Sequence, residues 1–327
     1  MSPPAIYVIH ENEVWVEPLR AAFAARGLPF VEWFLDGNGR IDLDREPPPG
    51  VFYNRMSASS FTRGHRFGPD QTAVVLAWLE GWERRVVNKG RALQLEISKA
   101  AQYAALRTVG IATPRTVVVA GRQALIEAAE AFAPGPVILK PNRGGKGHGV
   151  RLFETVAALR AHVAGDAWEA PVDDIALLQE YVPAPEPFIT RAEFIGGRFF
   201  YAVKVDTREG FELCPADVCA VGDAFCPTGE PAAATPRFEI VDPPEARLLQ
   251  RYETFLAGND IEIAGIEFIR DAAGRVLTYD INTNTNYNVD AEARSPKRGM
   301  DGIAEFLGRE LDRLYPERRP ERRRAAM

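Results

Sequence analysis

With 327 residues, 46% of them hydrophobic and 26% charged, the chain has the proportions of a folded globular protein, long enough for two or three lobes around a shared cleft. Its net charge of -6 argues against general affinity for nucleic acid or anionic lipid, which requires a concentrated basic surface. No apolar run approaches the ~18 residues that span a bilayer, and residues 1–10 lack a basic leader segment and read as a first strand, so a cytoplasmic protein is expected.

The chain opens with an apolar strand over 6–9, a helix over 14–25 closed by Gly27 and a strand over 30–34, which together form a β-α-β unit. A turn-rich stretch ending in Pro47, Pro48, Pro49 and Gly50 leads to a short strand over 51–53, and a helix follows from Pro69 to about Arg85. One long helix is expected over 92–109, stopped by Gly110, before Thr113-Pro114 turns the chain into a strand over 116–119. Next come a helix, strands over 136–140 and 150–153, a helix and a strand over 176–182, the pattern of a small antiparallel lobe. Strands over 191–195 and 199–205, a helix near 243–257 and a hairpin within 262–284 build a third lobe. The expected class is α/β with α+β lobes. The spans are an N-terminal substrate lobe over 1–90, a central lobe over 91–182, a C-terminal lobe over 183–315 and a basic disordered tail over 316–327.

The hairpin register follows from strand geometry. If Asp271 faces Val276 across a four-residue turn, Glu267 lies opposite Asp280 and Asn282 lies opposite Gly265, on the same face. Opposed like charges are destabilising, by up to ~1 kcal/mol, unless something sits between them. Two acids and an amide oxygen around a space left by a glycine suit a hard divalent cation such as magnesium. The alternative is an exposed hairpin whose acids face water. Asn284, Asn286 and Asn288 continue at strand spacing and are expected on the same face.

An apolar strand ending in Lys140 runs into Gly144, Gly145, Lys146, Gly147, His148 and Gly149. Glycines let backbone amides approach phosphate oxygens and a nearby lysine neutralises them. The order fits neither a Walker A loop nor a dinucleotide fingerprint, and a purely structural glycine hairpin is the alternative. Lys99 reads equally as a solvated helix lysine. The segment Gln179, Glu180, Tyr181 and Val182, followed by Pro183, Pro185 and Glu186, is an extended crossover able to hydrogen-bond a purine edge, or an interlobe linker. Arg55, Ser57 and Arg63 follow a strand end of the first lobe, where binding loops are common, and can contact a substrate, the arginines through its carboxylates. Cys214, Cys219 and Cys226 have neither metal nor disulfide spacing and read as reduced thiols near a substrate pocket.

Taken in this order, the motifs over 99–288 resemble the ATP-grasp superfamily, most closely the branch of ribosomal-protein glutamate ligase and glutathione synthetase. The resemblance implies that Lys99 and Lys140 are nucleotide lysines, Gly144 to Val150 the lid over the phosphates, Gln179 to Val182 the adenine hinge and Glu186 the ribose acid. It implies that Arg191 meets the transferring phosphoryl group and that Glu267, Asp280 and Asn282 hold magnesium, with the usual acid types exchanged at the first two. Lys140, Arg191 and Asn284 are the catalytic candidates, and Arg55, Ser57, Arg63 and Asn286 the substrate candidates. The chain departs from the family pattern at Thr190, where an aspartate is usual, and in the insert over 211–236.

The implied activity is ATP-dependent joining of a carboxylate, of an amino acid or peptide, to an amine through an acyl-phosphate, with Mg2+ or Mn2+. A phosphotransferase and a non-catalytic ATP-binding module are the alternatives. The partners are small-molecule or peptide substrates, without nucleic acid or membrane, and a homo-oligomer is left open.

Overall fold

The computed structural model describes residues 2–145, 147–166, 168–208 and 237–318. Lys146, the insert with Cys214, Cys219 and Cys226, and the arginine-rich end beyond Arg318 lie outside the described residues.

The first sheet comes from β1 (Ala5–His10), β2 (Phe30–Phe34), β3 (Gly50–Asn54) and β4 (Arg85–Val87), with α1 (Glu13–Ala25) and α2 (Gly68–Gly81) between them. All pairings are parallel, in the order β2-β1-β3-β4. Every residue of β1 is buried, as expected of a parallel strand covered on both faces. Asn12 starts α1 by accepting from the Trp15 N–H at 3.3 Å. The helix expected to reach Arg85 stops at Gly81 instead, because Glu83 takes φ +55° and Arg84 N–H turns back to the Leu79 carbonyl. This frees the β-branched pair Val86 and Val87, both fully buried, to form a strand beside β3.

The single helix expected over 92–109 is two, α3 (Gly90–Glu96) and α4 (Lys99–Thr108). Ser98 breaks it: its backbone is extended and its hydroxyl accepts from the Ala101 N–H at 3.2 Å. Lys99 therefore stands in the first turn of a helix, aimed by a cap, and not in a solvated helix middle.

The second sheet, β5-β8-β6-β7, is antiparallel and comprises β5 (Thr116–Ala120), β6 (Val137–Pro141), β7 (Arg151–Phe153) and β8 (Ile175–Glu180). It shares a core with α5 (Arg122–Ala128) and α6 (Val156–Ala164), centred on Leu125, Val137, Leu159 and Leu178.

The third sheet is also antiparallel, in the order β11-β10-β9-β12-β13, from β9 (Phe188–Ile195), β10 (Arg198–Asp206), β11 (Phe238–Val241), β12 (Ile263–Arg270) and β13 (Val276–Asn282). One face packs on α3, α4 and α7 (Ala246–Ala257) through Leu95, Leu106, Phe194, Phe255 and Ile266. The other packs on α9 (Gly299–Leu314), whose Ile303 and Leu307 share a core with Ile6, Leu19 and Phe23 of the first sheet and α1. Each such fully buried side chain contributes ~1.5–3 kcal/mol, so this shared core fixes the first sheet against the third.

At its far end the hairpin β12–β13 pairs Glu267 with Asp280 and Gly265 with Asn282, as the sequence predicts. The turn is different. Arg270, not Asp271, faces Val276, and a register shift with Tyr279 as the extra residue restores the expected pairing at Glu267. Asp271 closes the turn by accepting from the Arg275 and Ala273 N–H groups at 2.8 and 3.0 Å. The strand ends at Asn282, so the asparagines beyond it do not extend one strand face. Asn288 instead caps the short α8 (Val289–Glu292), accepting from Ala291 N–H at 2.9 Å.

Candidate active site

A cavity of about 520 Å3 opens where the second sheet, the third sheet and the loop after β3 meet, within the size range of small-molecule sites. Its apolar part is walled by Ile138 and Leu152 of the second sheet and by Phe188 and Ile269 of the third. Its polar part gathers the ends of β6, β9, β12 and β13 with the start of α4.

Lys99 Nζ donates to Asp280 Oδ1 at 2.6 Å. Burial works to lower the Lys99 pKa, but the Asp280 carboxylate outweighs it and holds the ammonium above the ordinary lysine range. Asp280, half-buried, would be pushed up by its loss of solvent but is held below the usual carboxylate range by Lys99 and Lys140. Glu267 opposite is pushed up by burial, with Asp280 adding to the rise against the pull of Arg191. Asn282 Nδ2 approaches Glu267 Oε1 at 3.4 Å.

Among the described residues, Lys140 has no carboxylate partner for its hydrogen bonds. Its Nζ donates to the Tyr103 hydroxyl and, at 3.4 Å, to the Tyr279 carbonyl. Tyr103 also accepts from Gln179 Nε2 at 2.8 Å and donates to the Tyr279 carbonyl at 2.7 Å, so three elements hold this lysine in place. Burial, with repulsion from Lys99, pushes its pKa down to about 7.

Arg191 occupies the space that the sequence left open above Gly265. A Cβ at Gly265 would stand 2.5–2.7 Å from the guanidinium and would push it out of this position. The expected open, oxygen-lined gap opposite Asn282 is therefore filled by a cation, whose Nη1 donates to Glu267 Oε1 at 2.8 Å.

Of the glycine-rich loop, Gly144, Gly145 and Gly147 line the cavity together with His148. Gly149 does not; it takes φ +76° and packs by the Pro141 ring, which makes it a turn residue. The loop meets the segment after β3, where Arg143 Nη2 donates to the Arg66 carbonyl at 2.8 Å. Glu180, Tyr181, Val182 and Glu186 line the opposite end. Glu180 Oε1 accepts from the Arg115 N–H at 2.7 Å, and the exposed Glu186 lies 3.5 Å from Lys204. Gln179 lines the cavity too, but its amide is committed to Tyr103 and Thr116.

The loop after β3 departs most from expectation. Ser57 reaches the cavity wall, with Trp15 and Ser59 beside it and Asn284 and Asn286 facing it, but Arg55 and Arg63 are not on the wall. Arg55 is 2% exposed and donates to the Asn286 Oδ1 at 2.8 Å and the Thr285 carbonyl at 3.3 Å. Arg63 makes a two-point bond to the buried Glu11 at 2.9 and 2.8 Å and stacks over Trp15. Neither arginine lines the cavity: Arg55 is buried and bonded within the fold, and Arg63, partly exposed, is held by its two-point bond to Glu11. The sequence reading also missed Trp15, Glu96 and Tyr103. Tyr103 carried a signal, since it stands four residues after Lys99 on one helix face.

No protein-family model matches the chain, and no curated protein sequence matches it. Solved structures do. The ATP-grasp ligase PsnB in complex with a minimal precursor is 17% identical, with 93% of this chain and 98% of that one covered and a TM-score of 0.64. A RimK domain protein ATP-grasp from Sphaerobacter thermophilus is 20% identical over 92% and 99% of the two chains, with a TM-score of 0.61. D-alanyl-alanine synthetase A from Vibrio cholerae is 13% identical over 95% and 99%, with a TM-score of 0.64. The chain has the ATP-grasp fold.

Proposed function

We propose that this ATP-grasp chain is an ATP-dependent carboxylate-amine ligase that works through an acyl-phosphate. The observation that carries the reading is the convergence of Lys99, Lys140 and Arg191 on the opposed acids Glu267 and Asp280, at the polar end of a cavity whose other end is apolar. Such a cavity suits a molecule with an aromatic base at one end and a polyanion at the other. The base enters between Ile138 and Ile269 with its edge toward 180–182, and the phosphates lie under Gly144, Gly145 and Gly147. Lys146, outside the described residues, belongs to the same loop and is proposed to act with it.

Glu267, Asp280 and Asn282 are the residues to hold magnesium. They fit it chemically: two opposed carboxylates and an amide are hard oxygen donors. When bound, magnesium offsets the charge of the β- and γ-phosphates. The structures of PsnB solved with Mg and ADP and with AMPPNP support ATP and magnesium as the cofactor class.

In the proposed reaction a substrate carboxylate oxygen attacks the γ-phosphorus and the bond to the bridging oxygen breaks, releasing ADP. Lys140 and Arg191 balance the charge on the phosphoryl oxygens as it is transferred. The amine nitrogen then attacks the acyl carbon and phosphate leaves. His148 and the glycine loop cover the intermediate, keeping water away. PsnB was solved with a precursor peptide, and a small molecule or peptide end is proposed for this chain as well. It is read at the wall of Trp15, Ser57, Ser59, Asn284 and Asn286 by neutral hydrogen-bonding groups and an aromatic face, not by a guanidinium.

The test is phosphate release from ATP by the purified protein with pools of amino acids and short peptides, in the presence of hydroxylamine. The reading expects ADP, phosphate and a coloured hydroxamate that all depend on the pool. A stable phosphorylated product formed without any amine would replace the ligase with a phosphotransferase.

A further inference from the structure

Arg191 touches two buried acids, and they are not equivalent. Glu267 faces Asp280 and belongs to the proposed metal set. Glu193, 1% exposed and absent from the cavity wall, lies two residues along β9 on the same strand face as Arg191. Its Oε1 accepts from Arg191 Nε at 2.6 Å. Its Oε2 meets the Thr285 hydroxyl at 2.9 Å, and the same hydroxyl lies 2.6 Å from Arg191 Nη2. The guanidinium only donates, so the Thr285 oxygen accepts from Arg191 and its proton goes to Glu193. The hydroxyl has a second, longer acceptor in the Asn286 carbonyl at 3.5 Å, and the 2.9 Å bond to Glu193 is the shorter of the two.

We propose that Glu193 and Thr285 are positioning residues that hold the Nε and Nη2 edge of Arg191 so that Nη1 alone is presented to the transferring phosphoryl group. This rests on the reading of Arg191 as the phosphoryl arginine. With Glu267 committed to magnesium, Arg191 would have no carboxylate left on Nη1. A long, flexible side chain so released would have many rotamers to choose from. The Glu193–Thr285 ring keeps two of its three bonded nitrogens anchored, and the closeness of Gly265 beneath the guanidinium leaves it a slot to sit in. A preorganised donor of this kind needs no reorganisation when charge develops. The clamp also reaches the first lobe, because Arg55 donates to the Thr285 carbonyl at 3.3 Å and to the neighbouring Asn286 side chain. Thr285 is thus held by its backbone from one side while its hydroxyl holds Arg191 on the other.

The experiment compares Thr285→Val, which keeps the shape and removes the hydroxyl, with Thr285→Ser, which keeps the hydroxyl, and with Glu193→Gln, which keeps the shape and removes the charge. Steady-state phosphate release and the Arg191 Nε–H signal in 15N TROSY spectra, assigned with Arg191→Lys, are read on each. Thr285→Val is expected to lower kcat at least tenfold with the KM for ATP within twofold, and to expose the Arg191 Nε–H to faster exchange with water. Thr285→Ser is expected to restore both, and Glu193→Gln to shift the same signal. A Thr285→Val protein with kcat within twofold of wild type overturns the proposal, as does an unchanged Arg191 signal. If wild-type protein releases no phosphate with any pool, it is the ligase reading that fails, and the Nε–H exchange in Thr285→Val against Thr285→Ser decides the clamp by itself.

Discussion

The end of the β12–β13 hairpin and the loop that follows β3 both bury charge beside the same cavity, and they use it in opposite ways. Arg55 and Arg63 of the loop are bonded to partners inside the fold, Asn286 with the Thr285 carbonyl in one case and Glu11 in the other. Glu267 and Asp280 of the hairpin also have cationic partners, Arg191 and Lys99, but all four residues line the cavity, where a phosphate or a metal can take over either side of each pair. A buried charge whose partner is sealed away serves the architecture. One whose partner faces a cavity can exchange it for a ligand, and that is where chemistry is to be sought.

The comparison is tested most severely at Asp280. Asp280→Asn keeps the size and one oxygen, removes the negative charge opposite Glu267 and leaves Lys99 without its acid. Turnover is expected to fall by about 10²–10³-fold, the range for loss of one preorganised electrostatic group. The measurement is ATP-dependent phosphate release across a magnesium titration, and activity within tenfold of wild type at every magnesium concentration would move the charge centre away from this hairpin.

Arg55→Ala should show the opposite signature. It strips a fully buried side chain from between the loop after β3 and the 285–286 segment, leaves the Asn286 Oδ1 and Thr285 carbonyl without their donor and opens a void. Loss of about 2–4 kcal/mol of stability is expected in urea unfolding, with any loss of activity following from the displaced 285–286 segment. If Arg55→Ala unfolds like wild type but raises the KM of one substrate tenfold, the loop belongs with the hairpin and the contrast fails.

The contrast also marks what the sequence could reveal. Strand periodicity and turn residues located most strands to within a residue or two, and the face shared by Glu267, Asp280 and Asn282 follows from alternation alone. It survived a wrong turn because two errors cancelled: the turn is one residue longer than predicted, and the bulge at Tyr279 takes up the difference. The helix break at Ser98 was visible in principle, since serine is a cap residue, but an unbroken apolar pattern across it hid the signal. Arg55 and Arg63 were misread because local sequence gives no account of long-range partners. Glu11 and Asn286 stand 52 and 231 residues away from them, and only tertiary structure shows that these guanidiniums are already taken. For the same reason the filling of the Gly265 gap by Arg191 was out of reach, although the glycine itself marked the place.

Lys140 gives the smallest and sharpest effect, because it is a cavity cation with no carboxylate bonded to it among the described residues. With its pKa pushed down to about 7 by burial, it is charged below that pH and largely neutral at pH 8 in the free protein. Bound phosphates favour the charged form, so ATP binding above pH 7 should draw a proton from solvent. If the ammonium in the complex stays protonated throughout, the apparent dissociation constant in excess magnesium rises about tenfold from pH 6 to pH 8, close to 1.4 kcal/mol. Folding has the reverse slope. The unfolded chain, with an ordinary lysine, binds more protons than the folded one from about pH 7 to about 10.4, so the contribution of this group to stability increases as pH rises through that window. Calorimetric titration with ATP at pH 8 in buffers of different ionisation heat should therefore report close to one proton taken up, and Lys140→Met should lose that uptake along with the pH dependence. Equal ATP affinity at pH 6 and pH 8, with no proton uptake in the wild-type protein, would mean that Lys140 keeps its charge in the free cavity and is a dedicated structural cation like Arg55.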